Sequence, residues 1–424
     1  MQAYGVADYL ILSKHCDLQA LNHLLRMGRL VVSISNLVHR LQRERGASNV
    51  YVGSSGSRFA QEREQAVTDS VEAERFFRHC LQEISGEEAC SPSGSRLFNG
   101  IAYAIQGLDE LRSVRTRIKQ LEMSTDAVID GYSELIRGLL AVVFEAADAA
   151  ADPDVSRVLV AMFHLMQGKE LAGQERAVGA AGFARGGFNA AMAERFRHLI
   201  EHQERYFQIF RNFADEKSLM VWYRTVSDDV CAELERLRRV AIMSASDGRA
   251  DQALSDAWFE QASLRIDNLK AVEDQLEAAL MELCQRKIQT AEKDLTNHRS
   301  HLEAMASQPA DHGTYAVFFN EDGAAAEDYV GSQLGRSLVE LVQEQSKRLQ
   351  SMSEELTEAR AALTERKTIE KAKGLIMKYR RMSEEDAYKF MREVAMSQRR
   401  KLSEVAADTI NMVELLREKE KAGD

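Results

Sequence analysis

Only three prolines, Pro92, Pro153 and Pro309, interrupt this chain of 424 residues. Each sits beside Ser, Asp or Gln, where a break is expected. A proline inside a helix removes a backbone donor and clashes with the preceding turn, so its absence leaves the stretches between these positions open to long helices. Those stretches are rich in Ala, Leu, Glu, Arg and Gln, all good helix formers. An apolar share of 45% with 29% charged residues excludes a disordered chain. The expectation is an all-α protein of two or three domains, built from few and long helices.

Other classes fall away on the same residues. The most apolar stretch, Leu135 to Ala151, is broken by Arg137, Glu145 and Asp148, so no membrane span is expected. Residues Met1 to Asp8 lack the basic start of a secretory signal. The five cysteines are far apart and form no C-x-x-C pair, so neither a zinc ribbon nor a disulfide framework is indicated and the cytoplasm is the expected location. The net charge of -11 is uneven: from Glu365 to Asp424, Lys and Arg exceed Asp and Glu by 3, which leaves -14 on the rest. A basic tail on an acidic body suggests an anionic partner for the tail.

Leu24, Met27, Leu30, Val31, Ile34, Leu37, Val38 and Leu41 follow three-four spacing and predict a helix from about Asp17 to Val52. Further helices are expected near Arg58–Ile84, Ser93–Glu122, Asp126–Ala151, Pro153–Val178, from after Gly187 to Ala214, Leu219–Met243 and Asp251–Met305. The Gly-rich run Gly179 to Gly187 is read as a break. Eight such helices make two four-helix bundles sharing long helices, over residues 1–306. Residues 307–332 read as a linker. Leu334, Leu338, Leu341, Gln345, Leu349, Met352, Leu356, Ala359 and Leu363 then form a near-heptad seam, a coiled-coil helix over 333–364 that favours a homodimer. Residues 365–424 read as a three-helix C-terminal domain with a small core.

That last segment carries Ile369-Glu370-Lys371-Ala372-Lys373-Gly374-Leu375-Ile376-Met377, followed by Ser383-x-x-x-Ala387-Tyr388. Over about 60 residues it resembles the ANTAR domain, an RNA-binding module of transcription antiterminators. The resemblance implies a dimer that binds paired hairpins in leader RNA, prevents an intrinsic terminator from forming, and meets the elongation complex only indirectly. The side-chain chemistry agrees. Lys371, Lys373, Lys378, Arg380 and Arg381 crowd one junction around Tyr379, and Arg399, Arg400 and Lys401 form a second cluster. Cations contact phosphates, and an exposed aromatic can stack on an unpaired base. Ala372 and Gly374 suit close helix packing or close approach of RNA.

In the body, Leu41-Gln42-Arg43-Glu44-Arg45-Gly46-Ala47-Ser48, Leu111-Arg112, Glu170 with Gln174-Glu175-Arg176, and Ser263 to Asp267 together resemble the NIT domain, an all-helical nitrate- and nitrite-sensing module. The resemblance implies nitrate or nitrite as a regulatory ligand and no other cofactor. Nitrate is a small planar anion with three acceptor oxygens, and the planar guanidinium fork suits it better than a lysine. Arg45 beside Gly46, Arg176 in a similar Glu-Arg-small setting, and Arg236 between apolar neighbours are the candidate ligands. The competing reading of each is an ion pair with a neighbouring glutamate. Anion binding is expected to release the C-terminal domain from a masked state.

A different class is also written in the chain. His198-Leu199-Ile200-Glu201-His202 matches the inverted zinc-hydrolase pattern, with both histidines on one helical face. Arg195, Arg197 and Arg205 on the same helix would repel a metal, which disfavours that reading. A third reading is a signalling scaffold whose tail binds protein. No P-loop, G-x-S-x-G or dinucleotide fingerprint occurs, and no enzymatic activity is expected.

Overall fold

The structure is a computed structural model. It describes residues 6–84, 92–226, 229–247, 251–306 and, apart from 366, 381, 383 and 399, residues 364–422, with the isolated positions 347, 353, 356 and 357. The expected linker 307–332 and nearly all of the expected coiled-coil helix 333–364 lie outside the described residues. The chain divides into two compact units, Met1–Met352 and Ser353–Asp424. Every regular element among the described residues is a helix.

The first unit holds α1 (Val6–Gly53), α2 (Ala60–Gln82), α3 (Pro92–Lys119), α4 (Thr125–Ala149), α5 (Pro153–Ala184), α6 (Ala190–Phe213), α7 (Glu216–Val226), α8 (Asp229–Asp247) and α9 (Leu254–Ala306). All eight apolar positions that predicted α1 are buried. The Asp152-Pro153 start signal works as its chemistry suggests: the Asp152 side chain accepts from the Val155 amide, and Pro153 opens α5. Asn189 caps α6 and Ser124 caps α4 in the same way.

Helix α1 packs on α2 and α4, and α3 packs on α4. Helices α5, α6, α8 and α9 form the second layer, with α7 on α9. Because α1 also lies against α5 and α9, and α4 against α5, the two bundles share a seam of long helices.

Two helix expectations are corrected. Gly179 does not break α5, which continues to Ala184 and turns at Gly186, where φ is +77°. A Cβ at Gly179 would come within 2.2 Å of Trp258 and one at Gly182 within 2.3 Å of Phe188. These glycines let large aromatics sit directly on the helix backbone, so they serve packing inside a helix. The single helix read over Leu219–Met243 is two, α7 and α8; α7 lies on α9 and sets Trp222 against Phe207 and Phe210 of α6, while α8 packs on α9, α6 and α5.

The second unit contains α10 (residues 367–380), α11 (Glu384–Gln398) and α12 (Leu402–Ala422). Ala372, Ile376, Ala387, Tyr388, Met391, Ala406 and Ile410 form its small core.

Candidate anion site

The motif near the end of α1 is divided by helical geometry between two faces. Leu41, Glu44 and Ser48 share one side, while Gln42, Arg45 and Gly46 turn toward α5. Glu44 is fully buried and satisfied: Arg115 donates to both its oxygens at 2.7 and 2.8 Å, and the Tyr132 hydroxyl donates at 2.6 Å. Burial and the adjacent Glu44 charge push the Tyr132 hydroxyl well above its ordinary value. This face locks α1 to α3 and α4.

On the other face Arg45, 2% exposed, donates to Glu170 through Nη1 at 2.5 Å and Nη2 at 3.2 Å. Its Nη1 also donates to Ser133 Oγ at 2.8 Å. Gln42 and Gln174 donate to the same carboxylate at 2.9 and 3.0 Å. Arg176, 7% exposed, donates to Ser263 Oγ at 2.9 Å and to the Gln42 carbonyl at 3.3 Å, and lies 5.1 Å over the Phe259 ring. Among the described residues it has no carboxylate within ion-pair distance. Burial, followed by the charge of Arg45, lowers its guanidinium to about 10.

The two arginines are seated reciprocally. A Cβ at Gly46 would stand 2.6 Å from Arg176 Nη2, and a Cβ at Gly173 would stand 2.6 Å from Arg45 Nη2. Each guanidinium therefore rests on the bare backbone of the opposite helix. No protein hydrogen bond among the described residues engages Nε of either arginine, while Nη2 donates once in each.

Arg236 does not join them. It is 52% exposed on α8 and pairs with Glu233 at 2.8 and 2.6 Å. Its apolar neighbours in sequence point inward, and with 3.6 residues per turn that sends Arg236 to solvent. Arg238 takes the inward position instead, gripping buried Glu175 at 2.7 and 2.6 Å, with Gln203 donating to Glu175 at 2.7 Å. Burial raises the Glu175 carboxyl but the Arg238 charge more than offsets it, so the group ends below its ordinary value. Arg265 shares that carboxylate at 3.6 Å, has no hydrogen bond at Nη1, and is lowered to about 10 by burial and Arg238. Deeper between α5 and α9, Lys169 and Glu273 form a fully buried pair at 2.5 Å, with Lys270 3.3 Å from Glu273. Burial raises Glu273, but Lys169 and Lys270 hold it at about 2.

Of the three arginines expected from sequence, Arg45 and Arg176 meet at the seam and Arg236 does not. Glu170, Glu175, Ser263 and Arg265 lie in the resembling segments with no role legible there, and Gly173 and Arg238 carry no motif signal. The only signal for Gly173 is its three-residue spacing from Arg176, which does not show what packs against it.

In the second unit, α10 presents Lys367, Lys371, Gly374 and Lys378 as exposed positions at spacings of four, three and four, one face of a helix. A Cβ at Gly374 would meet nothing within 4 Å, so backbone is accessible there, whereas Ala372 is buried against α11 and α12. Tyr379 is 45% exposed. Lys373 pairs with Glu370 at 2.7 Å, and Arg380 lies 4.2 Å over the Phe390 ring. Arg400 is held by Asp408 at 2.6 Å and Glu404 at 3.2 Å, with Lys401 exposed beside it. Arg381 and Arg399 lie outside the described residues.

His198 and His202 stack with ring centroids 4.0 Å apart. They gather no third donor: no set of three His, Cys, Asp or Glu able to hold a metal forms among the described residues. Likewise, no helix among the described residues is long and apolar enough to cross a membrane.

An all-helical seam with buried arginines, joined to a small unit with a cationic helix face, defines a ligand-sensing regulator with a nucleic-acid-binding end. The comparisons agree with that class. The nitrate and nitrite sensing family matches residues 36–281, and the ANTAR domain matches residues 357–410. The nitrate regulatory protein of Klebsiella oxytoca is 32% identical over 97% of this chain and 96% of its own length. The solved structure of the NasR transcription antiterminator aligns at a TM-score of 0.60 and 29% identity, covering 97% of this chain and 99% of that one. The chain belongs to the nitrate and nitrite sensing family, with a C-terminal ANTAR domain.

Proposed function

We propose that this protein is a nitrate- and nitrite-responsive transcription antiterminator whose anion site is the α1–α5 seam. Arg45 and Arg176 hold the anion on their Nε–Nη2 edges, and Gly46 and Gly173 let the two guanidiniums lie against the helix backbones. The C-terminal domain binds paired hairpins in leader RNA and keeps a terminator from forming. Lys367, Lys371 and Lys378 contact phosphates across the open backbone at Gly374, and Tyr379 stacks on a loop base. The acting species is a homodimer, and it meets the transcription elongation complex through the nascent RNA, in the cytoplasm. No cofactor takes part beyond the anion.

One observation carries the sensor half: among the described residues Arg176 is a buried cation without a carboxylate at ion-pair distance, and an unpaired buried charge is costly until an anion reaches it. Anion binding shifts a two-state equilibrium of the seam only if it favours one state over the other. The test is hairpin-RNA binding by the full chain with and without nitrate, alongside calorimetric titration of nitrate. Nitrate should bind and strengthen RNA binding, and Arg176→Ala should lose both responses while still binding RNA weakly. A nitrate isotherm unchanged in Arg176→Ala removes the seam as the site.

A further inference from the structure

The buried charges at the α1–α5 seam do not balance, and we propose that this imbalance makes the site select singly charged anions, with Glu170 as the residue that sets the charge. The inference rests on the reading that the seam is the anion site. Arg45, Arg176 and Glu170 are its buried ionised groups, at 2%, 7% and 5% exposure. Gln42, Gln174, Ser133 and Ser263, which complete the surround, are neutral. The exposed Asp267 and Arg43 also act on Arg176, Asp267 more strongly than Glu170, but they carry opposite charges and cancel in the sum. Two guanidiniums and one carboxylate leave a single positive charge.

A monoanion brings that sum to zero. A dianion overshoots it and leaves a negative charge among buried groups, where uncompensated charge is costly. Glu170 cannot step aside to correct the count. It holds Arg45 with both oxygens and accepts from Gln42 and Gln174 as well, so its departure would strand a guanidinium and two amides. Glu170 therefore orients Arg45 and fixes the charge offered to the ligand, without itself contacting the anion.

Perchlorate and sulfate are tetrahedral oxyanions of similar size that differ by one charge, so they separate charge from shape. Displacement of nitrate from the full chain should proceed with perchlorate and fail with sulfate at matched ionic strength. In Glu170→Gln, which keeps size and much of the hydrogen bonding, sulfate should gain on perchlorate by at least about tenfold. Glu170→Asp retains the charge and should retain the discrimination. If nitrate does not bind the unaltered protein, the seam reading fails; if nitrate binds and sulfate competes as well as perchlorate, this inference alone is overturned. An unchanged sulfate-to-perchlorate ratio in folded Glu170→Gln overturns it equally, and the comparison in the unaltered protein decides the matter should that variant not fold.

Discussion

In the first unit, Arg45, Arg115, Arg238 and Lys169 are buried against Glu170, Glu44, Glu175 and Glu273, whereas in the second Lys371, Lys378 and Arg400 lie at the surface above an apolar core closed by Tyr388. The contrast fits the difference in size between the two proposed ligands. A small anion is recognised by removing it from water and surrounding it, which requires cations already desolvated and held in register. A polyanion such as RNA is recognised along an extended face, where cations stay hydrated and release counterions on contact. On the proposed reading, burial makes the first unit sensitive to a single charge, and exposure makes the second sensitive to salt.

The comparison breaks most easily where burial is deepest. Glu44→Ala strands Arg115 and the Tyr132 hydroxyl in the core and should cost about 3–5 kcal/mol in chemical denaturation; a loss below about 1 kcal/mol would mean the buried pairs are not structural anchors. Acid should act through the same class of pair. Glu273 is held at about 2 against an ordinary 4.5, so its contribution is complete above 4.5 and lost as pH falls through about 2. Thermal melts should therefore fall across that window, and Glu273→Gln should flatten the slope; a parallel slope in the variant assigns the acid sensitivity elsewhere.

Gly46→Ala sharpens the comparison at the site itself. Its Cβ, 2.6 Å from Arg176 Nη2, should displace the guanidinium and weaken nitrate binding about tenfold with little change in stability, as read by calorimetry and melting together. On the exposed side, Lys371→Ala and Lys378→Ala should each weaken hairpin binding a few-fold and lower the salt slope by about 1. Arg400→Ala should do less, because Glu404 and Asp408 already neutralise that residue; an equal effect would put the α11–α12 junction on the RNA. The smallest effect belongs to Arg236→Ala. A measurable loss of stability, or any shift in the nitrate isotherm, contradicts its solvent-facing position.

Legibility in the sequence followed the range of the interactions. The α1 stripe from Leu24 to Leu41, the Asp152-Pro153 cap and the separation of an acidic body from a basic tail depend on neighbours within a turn or on composition, and were readable directly. Arg45 and Arg176 could be chosen because motif segments carry them. Their roles could not be read, since Glu170 lies 125 residues from Arg45 and Ser263 lies 87 from Arg176. The choice of Arg236 over Arg238 turned on a helical phase that only packing against Glu175 reveals. Gly179 read as a breaker because intrinsic propensity counts against glycine, while Trp258 seated on its backbone outweighs that preference.

The sequence by itself therefore determined helix content, the capping of α5, and which residue types were available to meet an anion. Tertiary structure alone decided which arginines received a carboxylate and which did not, because charge pairing across helices depends on distances that local periodicity does not encode. That allocation, Glu170 to Arg45 and, among the described residues, none to Arg176, is the physical origin of the seam's unbalanced charge.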